Sequence, residues 1–247
     1  MSGSVSFDAA SARALLYKNA REFFSLQKIF EVETSLFPLN VSALKSPVFQ
    51  ISKHYRDELI DRRHRTDFSV LQWSQSNWTN EQVLSNIDTF LMAIFSGEFE
   101  PERRSFRQAF IQRLGFDPEE LTAADLRQEA RRLGLNVALG DDRLAWLKLM
   151  FVHFIEPTLG IDIPLFLTDL PSEWRDMKFD GNEKFNSTVD VYIDGIKVGS
   201  VLSKDQLSQG EQKTQYPVFN IVFGLDRLLM IILETRQIDK VMSVYVG

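Results

Sequence analysis

Residues 47–73 read Pro-Val-Phe-Gln-Ile-Ser-Lys-His-Tyr-Arg-Asp-Glu-Leu-Ile-Asp-Arg-Arg-His-Arg-Thr-Asp-Phe-Ser-Val-Leu-Gln-Trp. From Pro47 to Arg56 the side chains alternate: Phe49, Ile51 and Tyr55 fall on one face, Gln50, Ser52, His54 and Arg56 on the other. That period of two predicts a strand. A second strand is expected from Asp67 to Trp73. Between them lies a ten-residue, highly charged connection, Asp57 to Thr66, whereas hairpin loops usually take two to five, so this loop is a candidate for function. Arg56 at a strand end can clamp a phosphate, Glu58 can accept a base amino hydrogen, and Arg62, Arg63, His64 and Arg65 can follow further phosphates. Phe68 offers a ring face. Taken alone, the same stretch also reads as a solvated loop with Phe68 in the core.

Working outward, Asp8 or Ser11 is expected to cap a helix carrying Leu15, Leu16, Ala20, Phe23 and Phe24. Ile29 to Thr34 then alternates like a strand. Thr79 with Gln82 forms a capping-box pattern ahead of a helix with Val83, Leu84, Ile87, Phe90, Leu91 and Ile94. Residues 98–160 predict three further helices: one ending at Gly115, one capped by Thr122 and ending at Gly134, one carrying Leu144, Leu147, Phe151 and Phe154. Strands return at Leu165–Leu167 and Val189–Ile193, turn at Asp194-Gly195 into Ile196–Val198, and recur at Val218–Phe223. Gly224 then opens a helix from Leu225 to about Glu234. In its first turn, Arg227 adds charge where backbone amides already favour anions. Hairpin strands with helices in blocks imply an α+β fold with a mostly antiparallel sheet.

The chain has 247 residues, 28 Lys+Arg against 34 Asp+Glu, and no cysteine. Disulfides, thiolate metal sites and cysteine nucleophiles are excluded, and a reducing cytoplasm is the expected location. The run Leu228–Leu233 is far shorter than the ~20 residues of a membrane helix, and the N-terminal stretch lacks signal-peptide character. No membrane partner is expected. A net charge of −6 supplies little long-range attraction for RNA.

The motif-like stretches occur in a telling order: "IFEVETS" from Ile29, "PVFQISKHYRDE…HRTDFSVLQW" from Pro47, and "VFGLDRLLM" from Val222. They resemble motifs 1, 2 and 3 of class II aminoacyl-tRNA synthetases. "RQAFIQRLGFDPEELTAADLRQEARRLGL" and "FIEPTLGIDIPLFLTDLPSEW" resemble the elongation factor P–lysine ligase family, a truncated paralogue of the lysyl-tRNA synthetase core. The resemblance runs from about Arg13 to Val246. It implies one class II synthetase-like catalytic domain over 1–247, with 98–160 as a helical insertion and no anticodon-binding domain. ATP is the implied cofactor. Arg56 resembles the arginine holding the α-phosphate and the amino-acid carboxylate, and Glu58 the reader of the adenine amino group. His64 lies where the loop reaches the terminal phosphates, Phe68 where adenine stacks. Arg227, following Gly224, resembles the arginine on the other adenine face. An amino acid, an elongation factor P-like protein acceptor and a second copy of the chain are the implied partners; tRNA is not expected.

Departures from the family pattern accompany the match. Ser35 replaces a proline, only Leu36 to Ser46 separates motifs 1 and 2, Gln72 replaces a carboxylate, and Asn220 a glycine. Lys197 and Lys204 stand where the family carries glutamates that hold magnesium and the substrate ammonium. A lysine ~4 Å from a divalent ion's site costs about 4 kcal/mol per unit charge at an effective dielectric of 20. The sequence therefore reads against a bound Mg2+, with both lysines as built-in counter-ions for ATP phosphates. Two functions follow: ATP-dependent amino-acid activation with transfer to a protein lysine or other amine, or a non-catalytic synthetase-like regulatory or partner-binding protein. In the first, Arg56 and Arg227 are the catalytic candidates.

Overall fold

A computed structural model of the chain describes residues 4–33, 47–55, 66–171, 174, 176–177, 185–204 and 218–242. In chain order they form α1 (Ser4–Leu26), β1 (Phe30–Glu31), β2 (Val48–Tyr55), β3 (Asp67–Ser76), α2 (Asn80–Phe95), β4 (Glu102–Ser105) and α3 (Phe106–Leu114). There follow α4 (Ala123–Arg132), α5 (Arg143–Met150), β5 (Leu165–Thr168), β6 (Asp176–Met177), β7 (Phe185–Ile193), β8 (Ile196–Lys204), β9 (Val218–Gly224), α6 (Leu225–Ile232) and α7 (Asp239–Met242). The strands make one sheet in the order β1-β2-β3-β9-β8-β7-β5-β4, with β6 on β7. Among the described residues only β1/β2 and β4/β5 pair in parallel, so the α+β, mostly antiparallel architecture holds.

Alternation along the strands divides the sheet into two faces. Phe49, Leu71, Trp73, Val191, Phe219, Ile221 and Phe223 project to one face and share a core with Leu16, Phe23 and Phe24 of α1, Ile87 and Phe90 of α2, and Leu228 and Leu229 of α6. Phe24 stacks on Phe49 at 4.2 Å between centroids, and Trp73 on Phe223 at 5.6 Å. Each fully buried ring of this kind contributes roughly 1.5–3 kcal/mol through area removed from water. Gly199 makes one of these contacts possible, because a Cβ there would lie 2.8 Å from the Phe223 ring.

The other face is split. At its β5–β7 end, Leu165, Leu167 and Tyr192 join Phe106, Phe110, Leu126, Trp146, Leu147 and Phe151 in a second core beneath α3, α4 and α5. Across β2, β3, β9 and β8, and at Asp190 of β7, the same face is largely polar: Gln50, Gln72, Ser74, Asn220, Ser200 and Asp190 are all buried.

Irregularities near the β7–β8 turn control which side chains reach that polar face. The β7–β8 turn places Asp194 at φ 52° and Gly195 at φ 67°, the two left-handed residues of a tight hairpin turn. Immediately beyond it, Tyr192 pairs with Lys197 but Val191 pairs with Gly199, so Val198 is an extra, bulged residue. A bulge shifts the alternation by one. Lys197 therefore shares a face with Ser200 and Leu202, although plain counting puts them on opposite sides.

Several expectations need correction. The first helix begins at Ser4, so neither Asp8 nor Ser11 caps it, and Leu15 is 56% exposed rather than part of the apolar stripe. Of the alternation expected from Ile29 to Thr34, β1 takes in Phe30 and Glu31, the Val32 amide still donates to the Phe49 carbonyl at 2.8 Å, and Thr34 lies outside the described residues. Strand β4, Glu-Arg-Arg-Ser, carries no apolar alternation and forms through parallel pairing with β5.

Candidate functional site

The polar face is assembled from the strand ends upward. Along β2, Gln50 Nε2 donates to Ser52 Oγ at 3.2 Å, and Ser52 Oγ lies 2.7 Å from His54 Nε2. The His54 ring faces Phe68 of β3 at 5.8 Å. This places Phe68, half-buried, on the polar face beside the end of β2, where Arg56 and Glu58 follow. Arg56, Glu58, His64 and Ser35 lie outside the described residues.

At the centre of the face, Gln72 of β3 and Asn220 of β9 meet. Gln72 Nε2 donates to Asn220 Oδ1 at 2.9 Å. Both residues are fully buried, and Gln72 Oε1 and Asn220 Nδ2 have no hydrogen-bond partner. Exchanging the O and N positions of both amides would again leave one donor and one acceptor. Gln72 and Asn220, from strands far apart in the chain, are thus one hydrogen-bonded unit.

Toward β8 the face becomes ionic. Asp190 of β7 is 1% exposed, and its Oδ1 lies 2.7 Å from the Lys197 ammonium and accepts from Ser200 Oγ at 2.8 Å. Arg227, in the first turn of α6, donates from Nη1 to the Lys197 carbonyl at 2.9 Å. Lys197 is consequently held at both ends, by an arginine on its carbonyl and a carboxylate on its ammonium. Gly224, the residue before α6, is half-buried; a Cβ there would meet only the Arg227 side chain, at 3.6 Å and beyond. Packing does not demand glycine, so the space above its backbone is open to something else. Lys204 lies at the opposite end of β8, paired with Val218. Seven residue steps, one of them taken up by the bulge, put the backbones of the two lysines roughly 20 Å apart at ~3.3 Å per strand step.

The acidic groups do not gather into a metal site: among the described residues no cluster of three His, Asp or Glu side chains stands ready for an ion. Asp190 already carries an ammonium. No helix among them is long and apolar enough to cross a membrane.

The structure thus brings together Phe68, Gly224, Arg227 and Lys197 around one end of the polar face. It adds Asp190, Ser200 and the Gln72–Asn220 pair, which sequence reading did not assemble. An aspartate inside the run Val-Asp-Val-Tyr-Ile was the available signal, because a charge between buried strand residues needs a partner.

No protein-family model matches the chain. It is similar to the curated elongation factor P–(R)-β-lysine ligase of Pectobacterium atrosepticum, 24% identical over 236 residues, covering 82% of this chain and 72% of that one. The ligase of the same name from Photobacterium profundum is 27% identical over 234 residues, covering 81% and 72%. That from Yersinia enterocolitica is 25% identical over 240 residues, covering 84% and 74%.

Proposed function

We propose that the chain is an ATP-dependent ligase that activates an amino acid as its adenylate and passes the acyl group to a protein lysine or other amine. The observation that carries this reading is the similarity over more than four-fifths of the chain to proteins named as ligases of β-lysine to elongation factor P. An elongation factor P-like protein is the proposed acceptor, in the cytoplasm, and tRNA is not required.

In the first step a carboxylate oxygen of the amino acid attacks the α-phosphorus of ATP, forming the mixed anhydride as pyrophosphate leaves. In the second the acceptor amine attacks the acyl carbon and AMP departs. Both steps depend on positioning and on charge stabilisation at phosphorus more than on a general base. On this reading Arg56 and Arg227 hold the triphosphate, Glu58 and Phe68 the adenine, and His64 the terminal phosphates. Lys197 supplies positive charge in place of a metal at the Arg227 end of the polar face. Residues 98–160 are a helical insertion into a single synthetase-like domain spanning 1–247. Two copies associate through α1 and β1, where Leu15, Leu26 and Phe30 are 56%, 81% and 71% exposed.

One observation favours the non-catalytic alternative: Lys197 is neutralised by Asp190 within the face itself. Amino-acid-dependent exchange of labelled pyrophosphate into ATP decides between them. Exchange with a neutral, acidic or basic amino acid supports the ligase. ATP binding by calorimetry with no exchange for any of them supports the regulatory protein.

A further inference from the structure

Arg13 ties α1 to the C-terminal elements α6 and α7. Arg13 Nη1 donates to Asp226 Oδ1 at 2.7 Å, across 213 residues of sequence. The second Asp226 oxygen accepts from the Ser69 amide of β3 at 2.6 Å. Arg13 Nη1 also reaches Ser69 Oγ at 3.4 Å, and Nη2 donates to the Val241 carbonyl of α7 at 2.9 Å. Asp226 and Ser69 are 2% and 1% exposed.

The geometry has a local cause. Ser69 pairs with Lys53 of β2, but β9 ends at Gly224 opposite Val70, so on that side Ser69 has no strand neighbour. Its amide would be a buried donor without an acceptor. Asp226, in the first turn of α6, fills that place. A carboxylate so deep needs a positive partner, and Arg13 is the one that α1 presents. Burial works against the Arg13 charge, yet Asp226 and Tyr17 together outweigh it and the guanidinium pKa is raised.

Each end of this link adjoins a residue of the proposed nucleotide site: Asp226 precedes Arg227, and Ser69 follows Phe68. We propose that Arg13 is a positioning residue for nucleotide binding. Through Asp226 and the Ser69 amide it fixes the spacing between the Phe68 ring and the Arg227 guanidinium. The inference rests on the nucleotide reading above and adds to it a residue on a different helix, which touches no substrate.

The test is ATP affinity by calorimetry on the full chain, for the parent, Arg13→Met, Arg13→Lys and Asp226→Asn, each at a temperature where its circular dichroism matches the parent's. Arg13→Met and Asp226→Asn should each weaken ATP by about tenfold, and the double variant by little more than either alone, because they break one link. Arg13→Lys, which keeps a charge opposite Asp226, should recover part of the loss. A purely stabilising ion pair would lower the melting temperature without these affinity changes. In a Phe68→Leu background the Arg13→Met change should add less than about twofold, since the ring being positioned is gone.

Unchanged ATP affinity in folded Arg13→Lys and Asp226→Asn overturns the positioning role while leaving the nucleotide reading intact. So does a full Arg13→Met effect in the Phe68→Leu background. No ATP binding by the parent protein overturns the nucleotide reading, and the inference with it. Backbone amide exchange in the nucleotide-free protein gives a second measurement: Arg13→Met should speed exchange at Ser69 and at the start of α6 before α3–α5. Protection unchanged at Ser69 counts against the link.

Discussion

The helical block of α3–α5 and the sheet half of the molecule treat their buried polar atoms in opposite ways. In the block, Ser105 and Gln108 close a capping box on α3, Thr122 and Asp125 on α4, and Asp142 caps α5. Trp146 is fully buried, and its indole N–H finds the Gly140 carbonyl at 3.0 Å. Trp73, just as buried, has no acceptor for its own. Among the described residues every orphaned buried side-chain atom belongs to β3, α2 or β9: Gln72, Trp73, Gln75, Asn86, Asp88 and Asn220. The block is locally consistent at every level. The sheet half tolerates unpaired groups, and such tolerance concentrates where a protein binds something.

If the block is ordinary scaffold, its interior should respond as cores do. Trp146→Ala should destabilise by about 3–5 kcal/mol through lost burial and a residual cavity, measured as a lower urea midpoint. ATP affinity of the folded variant should hold. An affinity loss as large as the stability loss would dissolve the distinction between scaffold and site.

The ionic corner of the polar face comes next in size. Lys197→Met leaves Asp190 buried without its ammonium, at a cost of about 2–3 kcal/mol, below the range for fully buried pairs because Lys197 is partly exposed. Adding Asp190→Asn should return most of that stability while ATP affinity stays weakened. A double variant as unstable as the single would mean that the pair is structural in the same sense as the block.

The contrast also explains what the sequence disclosed. Elements with local causes were legible: the Thr79 and Thr122 caps, the Asp194-Gly195 turn, the helix stop at Gly115 and the apolar period of α2 all depend on residues a few positions apart. The formation of β4 was not, because its partner β5 lies far along the chain. The candidate site was half legible. Resemblance pointed to Phe68, Gly224, Arg227 and Lys197, which the fold gathers at one end of the polar face. The bulge at Val198 has no marker in composition, yet it places Lys197 beside Asp190 rather than behind it. Gln72 and Asn220 are 148 residues apart, and Arg13 and Asp226 are 213. No short-range pattern could have joined either pair.

The amide pair sharpens the comparison from the other side. Gln72→Met with Asn220→Leu removes one hydrogen bond worth about 1 kcal/mol together with two orphaned atoms, each costing about 1–3 kcal/mol. The double variant should therefore match or exceed the parent in urea midpoint, within about 1 kcal/mol of repacking strain. Amino-acid-dependent pyrophosphate exchange should fall. Stability lost with exchange retained would show the amides to be part of the scaffold.

The smallest effects have opposite signs in the two regions. Asp88, on α2, is held above the ordinary carboxylate value of 3.8, because burial outweighs the attraction of Arg103. Between 3.8 and its raised value the folded state binds more protons than the unfolded one, so stability falls as pH rises through that window. Asp88→Asn should abolish that fall. Asp125, in the capping box of α4, is held below 3.8 by the Thr122 hydroxyl and amide. There the unfolded state binds more protons, so the contribution is full above 3.8 and is lost as pH falls through the depressed value. Asp125→Asn should lower stability at neutral pH and flatten the acid limb. Urea midpoints of the two variants against pH should thus diverge from the parent in opposite directions, Asp88→Asn above it and Asp125→Asn below it at neutral pH. Curves displaced in the same direction would mean that α2 and the helical block share one electrostatic design.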